Sequence, residues 1–220
     1  MARIVITGAN RGIGLELAKL YKSRGDQVAV ACRQSSPELD ELGLEVHAGV
    51  ELTNDASVAA FAALVGRERV DVLINNAGLL TRETLDDLDF GRMLKQYEVN
   101  ALAPLRMTKA MLPLMGQGGK VAILSSRVGS MADNGSGGNY GYRMSKAAVN
   151  MAGVNLAHDL KPLGIAVVLL HPGYVRTGMT GGSGNIDPEE AARGLIARID
   201  DTTLENTAKF WHAEGYELPW

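Results

Sequence analysis

Short runs rich in valine, isoleucine and leucine recur along this chain at Arg3–Thr7, Gln27–Ala31, Leu44–Val50, Val70–Asn75, Lys120–Ser125 and Ile165–His171, and the segments between them carry helical spacing. Near-continuous apolar strands are buried on both faces, and strand–helix alternation is the pattern of a parallel sheet covered by helices on each side. The first intervening segment places Ile13, Leu17, Leu20 and Tyr21 on one stripe and meets Gly25, where a left-handed C-cap is favoured. Toward the end, Asp187-Pro188-Glu189-Glu190 sets an N-cap acid, a proline at N1 and a glutamate at N3 ahead of a helical Ala191–Ile199. At 220 residues the chain suits one well-buried α/β domain over residues 1–220, a doubly wound parallel sheet of about seven strands.

Charge and composition narrow the partners. The net charge of −3 is spread without a basic stripe, which argues against nucleic acid and leaves small molecules or a second copy of the chain. No apolar run approaches the roughly 20 residues that span a bilayer. Met-Ala-Arg runs straight into the first strand with no signal-peptide core, so a soluble, cytoplasmic protein is expected. Cys32, the single cysteine, excludes an internal disulfide, fits a reducing compartment, and reads as a small packing residue.

Chemistry gathers where apolar runs end. The first is followed by Thr7-Gly8-Ala9-Asn10-Arg11-Gly12-Ile13-Gly14, a glycine-rich turn opening a helix. Absent side chains at such a turn let a pyrophosphate approach the backbone, while the helix N-terminus offers N–H donors and partial positive charge. A dinucleotide is expected there. After the second run, where users of NAD carry an acid for the ribose hydroxyls, stand Cys32 and Arg33. A guanidinium at Arg33 can meet a 2′-phosphate bidentately, with Arg11 approaching from the glycine turn, so NADPH is expected in preference to NADH. Further along, Tyr142 and Lys146 stand at i and i+4 in Tyr-Arg-Met-Ser-Lys and share one helix face. A free phenol ionises near about pH 10, and a neighbouring ammonium lowers that value toward useful acid–base behaviour.

The spacing Gly-x-x-x-Gly-x-Gly, together with Asn75-Asn76-Ala77-Gly78, Asn100, Ser125-Ser126, Tyr142/Lys146 and Pro172-Gly173-Tyr174-Val175-Arg176-Thr177, resembles the short-chain dehydrogenases/reductases in order and over nearly the whole chain. The loop Gly129–Gly135 and the closing Phe210–Trp220, with Gly215 and Leu218-Pro219-Trp220, are further similar to the C-factor and Sniffer-type carbonyl reductase branch. The resemblance implies a Rossmann fold and a reaction in which Tyr142 protonates a carbonyl oxygen as hydride arrives from the nicotinamide. It implies Ser126 as hydrogen-bond donor to that oxygen, Lys146 on the nicotinamide ribose and Asn100 holding a relay water. Gly8, Asn10, Arg11, Gly12, Ile13 and Gly14 would cradle the phosphates; Asn76, Ala77 and Gly78 would line the adenosine side. Pro172, Gly173, Val175 and Thr177 would hold the nicotinamide. Family members bond adenine through an aspartate after the third strand, where this chain has Glu51 and Leu52.

Two departures matter. Ser126 precedes Tyr142 by sixteen residues, against about a dozen in family members, so the intervening loop is longer; Ser125 and Ser130 remain alternatives for the serine. The segment Gly178–Asn185, short and rich in small residues, would cover the substrate, with Met131, Met144, Tyr174 and Met179 as apolar liners. Neither His158 nor His171 holds a catalytic position of the family, and no cluster has metal-ligand spacing. The reading is an NADPH-dependent carbonyl reductase, expected to be a homodimer through helices at about 96–115 and 142–160. The alternative is a nucleotide-binding signalling or redox-sensing protein with little turnover, which would not require the proton donor; a dehydratase or epimerase would need a longer substrate domain.

Overall fold

The computed structural model describes residues 1–220. Seven strands form one sheet in the order β3-β2-β1-β4-β5-β6-β7, every neighbouring pair parallel. They are β1 Arg3–Thr7, β2 Gln27–Ala31, β3 Glu45–His47, β4 Val72–Asn75, β5 Lys120–Leu124, β6 Ala166–His171 and β7 Lys209–His212. Alternation along each strand feeds two cores. Ile4 and Ile6 join Leu17, Tyr21, Leu195 and Ile199 on one face, against α1 (Gly12–Ser23) and α7 (Pro188–Asp200). Val5 joins Phe61, Met107, Met111 and Leu160 on the other, against α3 (Asp55–Val65), α5 (Ala103–Met111) and α6 (Tyr140–Leu160). A short α2 (Pro37–Asp40) precedes β3. Strand order reverses between β1 and β4, which opens the crevice at their carboxyl ends where ligands of such sheets bind.

The seventh strand is the one no aliphatic run announces. Lys209–His212 reads Lys-Phe-Trp-His, and it forms because Phe210 enters the core beside Leu169 and Leu218. The segment after it folds back over this edge: His212 N–H donates to Tyr216 O (2.9 Å), Leu218 N–H to Phe210 O (2.7 Å), and Trp220 stacks on Phe210 at 5.6 Å.

Where one helix is expected at about 96–115, the chain makes α4 (Phe90–Tyr97), a π turn at Glu98–Leu102 and then α5. Pro104 has no N–H, so the i→i−4 ladder breaks there and Ala103 N–H donates instead to Glu98 O, five residues back. Helix α7 begins at Pro188 as its signals indicate, but the Asp187 carboxylate makes no cap bond; it pairs with Arg176 at 2.8 Å.

Helix α6 lies against β6 through Gly153, where a Cβ would come within 2.8 Å of both Leu169 methyls. A branched side chain there forces the helix off the sheet. Gly153→Val is expected to destabilise the protein by about 1–3 kcal/mol, read by urea denaturation as a lower midpoint with unchanged m; an unchanged midpoint would show that α6 tolerates displacement.

Candidate active site

The glycine turn is braced from below before anything binds it. Gly8 has φ +70°, and a Cβ on it would stand 2.9 Å from Ala77 Cα, so β1 and the Asn75–Gly78 turn touch backbone to backbone. Thr7, buried at the end of β1, accepts at Oγ1 from Asn76 N–H and Ala77 N–H, both at 3.1 Å. The Asn76 amide donates to Thr7 O and Gly8 O at 2.9 Å each. Asn76 therefore works on the loop itself instead of presenting its amide to the crevice. Thr7 escaped the sequence reading, although its place directly before Gly8 is a signal.

The turn fits an anionic dinucleotide by its own chemistry. The first turn of α1 carries no acidic residue, and Gly8 and Gly12 both have positive φ, leaving backbone without side chains at the mouth of the helix. Arg11 and Arg33 are exposed, and no carboxylate lies within 4 Å of either. Arg33 borders a cavity of about 260 Å³ with Glu51, Thr53, Lys95 and Val99. Glu51 Oε1 accepts from Thr53 N–H (3.3 Å) and Thr53 Oγ1 (2.9 Å), while Leu52 is half-buried against the core. Asn10 and Ile13 are half-buried in the same turn.

Helix α6 brings Tyr142 and Lys146 to the carboxyl ends of β5 and β6. Lys146 is buried; its Nζ donates to Leu124 O at 2.7 Å and sits 5.6 Å from the Tyr142 ring centroid. Burial lowers the ammonium to about 8. The Tyr142 phenol moves opposite to the sequence expectation. Burial pushes it up to about 12, and only a hydrogen bond with the Ser126 side chain pulls the other way. Burial is the larger effect, and the ammonium itself donates to the Leu124 carbonyl.

The three serines separate by what they touch. Ser126 caps the 3₁₀ turn Arg127–Gly129, accepting from Val128 N–H at 3.4 Å, and is the serine that acts on the Tyr142 phenol. Ser125 Oγ donates to Asn150 Oδ1 on α6, and Ser130 Oγ accepts from Asp133 N–H at 3.1 Å. Asn100 lies in the π turn, 1% exposed, with Oδ1 accepting from Leu79 N–H (2.7 Å) and Nδ2 donating to Leu79 O (2.8 Å) and Ser145 Oγ (2.9 Å). Ser145 then donates to Tyr142 O at 2.8 Å. Asn100 thus joins β4's loop to the tyrosine's own turn of helix through Ser145, a residue whose i+3 spacing from Tyr142 was the available sign.

Across the crevice, the Pro172–Thr177 segment and the lid that follows it, Gly178–Asn185, lie against the glycine turn and the Asn75–Gly78 turn. Val175 is buried, bridges Ile186, and accepts at its carbonyl from Thr180 Oγ1 at 2.9 Å. Thr177 reaches the turn at Gly12, where a Cβ would meet its Cγ2 at 3.4 Å, and Met179 Cε approaches Gly78 in the same sense at 3.7 Å. The lid is a tied loop: Arg176 Nη1 donates to Gly184 O (3.1 Å), Gly182 N–H to Thr177 O (2.9 Å). Gly173 abuts His212, which packs at 5.0 Å on His171, and burial lowers His171 to about 3. Met144, expected as a substrate liner, lies on the outer face in a groove with Phe90, Leu94 and Tyr97. Its i+2 offset from Tyr142 turns it away from the crevice.

The chain matches the family model described as short chain dehydrogenase over residues 2–186. It is 41% identical to the 1-hydroxy-2-glutathionyl-2-methyl-3-butene dehydrogenase of a Rhodococcus species over the full length of both chains. It is 46% identical to the C-signal protein of Myxococcus xanthus, over 73% of this chain and 99% of that protein. Among solved structures it superposes on the Drosophila melanogaster carbonyl reductase Sniffer with TM-score 0.93 at 30% identity, covering all of both chains. The NADPH-bound carbonyl reductase from chicken fatty liver gives TM-score 0.92 at 29% identity, covering 100% of this chain and 99% of that one. No helix is long and apolar enough to cross a membrane. With the doubly wound sheet, the braced glycine turn and the paired Tyr142 and Lys146 in place, this chain belongs to the short-chain dehydrogenase family, as an oxidoreductase of its C-factor and Sniffer-like branch.

Proposed function

We propose that the protein is an NADPH-dependent carbonyl reductase in which Tyr142 is the general acid. The observation that carries the reading is that α6 brings Tyr142 and Lys146, one turn apart and with Nζ 5.6 Å from the ring, to the carboxyl end of β5, where Ser126 follows the strand. The cofactor would be held by the turn Gly8–Gly14, by Arg11 and Arg33 at the 2′-phosphate, by Glu51, Leu52, Ala77 and Gly78 around adenosine, and by Pro172, Gly173, Val175, Thr177 and Lys146 near the nicotinamide. When bound it supplies the hydride. Tyr142, a neutral phenol at physiological pH, gives its proton to the substrate oxygen, and Ser126 donates a hydrogen bond to the same oxygen as charge develops. Asn100 and Ser145 hold the start of α6 in register for that transfer.

Unpaired Arg11 and Arg33 favour NADPH, as does the cofactor named in the structure of the chicken relative. The complete set of Asn100, Ser126, Tyr142 and Lys146 favours turnover over a purely sensing role, whatever the name of the Myxococcus relative. A homodimer fits the exposed apolar row of Phe90, Leu94 and Tyr97 on α4 beside Met144 and Met151 on α6. The buried lone Cys32 suits the cytoplasm.

Tyr142→Phe is expected to lower kcat roughly 10²–10⁴-fold, the usual contribution of a general acid, with NADPH affinity by tryptophan quenching nearly unchanged; near-wild-type turnover removes tyrosine from the reaction. Arg33→Ala is expected to weaken NADPH about tenfold or more, the worth of one charge-assisted contact, and to leave NADH nearly unaffected; equal weakening of both would assign Arg33 to the loop instead of the phosphate. Sedimentation at micromolar concentration is expected to return the mass of two chains, and a one-chain mass would contradict the dimer.

A further inference from the structure

Between Ser126 and Tyr142 the chain takes a longer route than family members do, yet the turn that Ser126 caps lies against the helix that carries Tyr142. The residues that make this happen are on α6 itself. The turn Arg127–Gly129 rests directly on the helix backbone, for a Cβ on Gly129 would stand 2.7 Å from Lys146 C and 2.8 Å from Lys146 Cβ. Beyond it the loop makes no strand or helix until Tyr140. Arg143, the residue after Tyr142, gathers this stretch. Its Nη1 donates to Val128 O at 3.3 Å, its Nε to Gly137 O and Gly138 O at 3.0 and 3.1 Å, and its Nη2 to Ser136 Oγ at 2.8 Å. No carboxylate lies within 4 Å of the guanidinium, so the contacts are to loop oxygens alone. Within the loop Arg127 pairs with Asp133, Ser130 Oγ accepts from Asp133 N–H and Asn134 Oδ1 from Gly137 N–H, and single backbone bonds, Ala132 N–H to Trp220 O and Asn139 N–H to Glu83 O, tie it to other elements; Arg143 is the side chain of α6 that reaches both the Ser126 turn and the far side of the loop.

A planar fork with donors on three nitrogens can hold acceptors on two sides of a loop, and a point-charge ammonium cannot. Val128 is two residues from Ser126, within the turn that Ser126 caps, so the bond to Val128 O fixes the serine's turn while the bonds to Ser136, Gly137 and Gly138 fold the extra residues aside. We propose that Arg143 is a positioning residue for the reaction, holding the Ser126 turn against α6 so that the serine hydroxyl stays on Tyr142. The inference rests on the assignment of Ser126 and Tyr142 above.

The test compares wild type with Arg143→Ala, Arg143→Lys, Ser126→Ala and the Ser126→Ala/Arg143→Ala double variant, using NADPH and 4-nitrobenzaldehyde. Arg143→Ala is expected to lower kcat about 10- to 100-fold, the scale of loss from misplacing a reacting group by about 1 Å, with NADPH affinity within about twofold of wild type. Arg143→Lys should recover little of it. On the Ser126→Ala background the arginine change should cost almost nothing further, because the residue acts through the serine. Ser126 lowers the Tyr142 phenol, and alcohol oxidation needs the phenolate, so the acid limb of the oxidation pH profile should move to higher pH in Arg143→Ala. Wild-type kcat in Arg143→Ala, full multiplication of the two losses, or an unmoved acid limb would each overturn the proposal; if Arg143→Ala does not fold, the same criteria apply to Arg143→Lys. Should Ser126→Ala and Tyr142→Phe themselves keep wild-type turnover, the reading of the reaction fails instead.

Discussion

The seating of α6 on β5 and β6 is the contact from which the site is built. Gly153 lets the helix approach Leu169, Gly129 lets the Ser126 turn approach Lys146, and three polar contacts lock the register: Lys146 to Leu124 O, Ser125 to Asn150, and Asn100 through Ser145 to the carbonyl of Tyr142. Close packing leaves no slack for a methyl group at either glycine. The helix that carries the tyrosine and lysine is therefore placed by small residues away from the reacting groups, one on the helix and one on the turn packed against it.

That seating has an electrostatic consequence. Burial disfavours the Lys146 ammonium, lowering it from its ordinary value near 10.5 to about 8. The fold therefore binds this proton more weakly than the unfolded chain does, and its stability rises with pH from about 8 to the unfolded value and is lost as pH falls through the same window. The Tyr142 phenol, raised to about 12, behaves the other way: its contribution is complete below the ordinary tyrosine value near 10 and is lost above it. At neutral pH the protein thus holds a cation at a thermodynamic disadvantage where a polar ligand can meet it, the usual compromise between stability and a working site.

Local patterns were legible wherever one segment's own residues decide its state. The glycine turn, the Gly25 stop and the start of α7 at Pro188 follow from backbone preferences. The failures share a cause. Asp187 has the sequence of an N-cap, but Arg176, brought near by the lid, competes for its carboxylate. Lys146 has the spacing to assist Tyr142, but the Leu124 carbonyl on another element takes the ammonium. Met144 has the composition of a substrate liner, but the helix azimuth puts it outside.

By itself the sequence determined the class of fold, the crevice at which a dinucleotide is to be expected, and the residue types available for proton transfer, because these follow from apolar periodicity, glycine conformations and fixed i to i+4 spacing. Only the tertiary structure decided what each of Ser125, Ser126 and Ser130 bonds to, that Thr7 and Asn76 brace the glycine turn, that Lys-Phe-Trp-His is a strand, and that Arg143 gathers the long loop. Those outcomes depend on hydrogen-bond partners and contacts contributed from segments distant in sequence, and no local pattern encodes which of several acceptors will lie within reach.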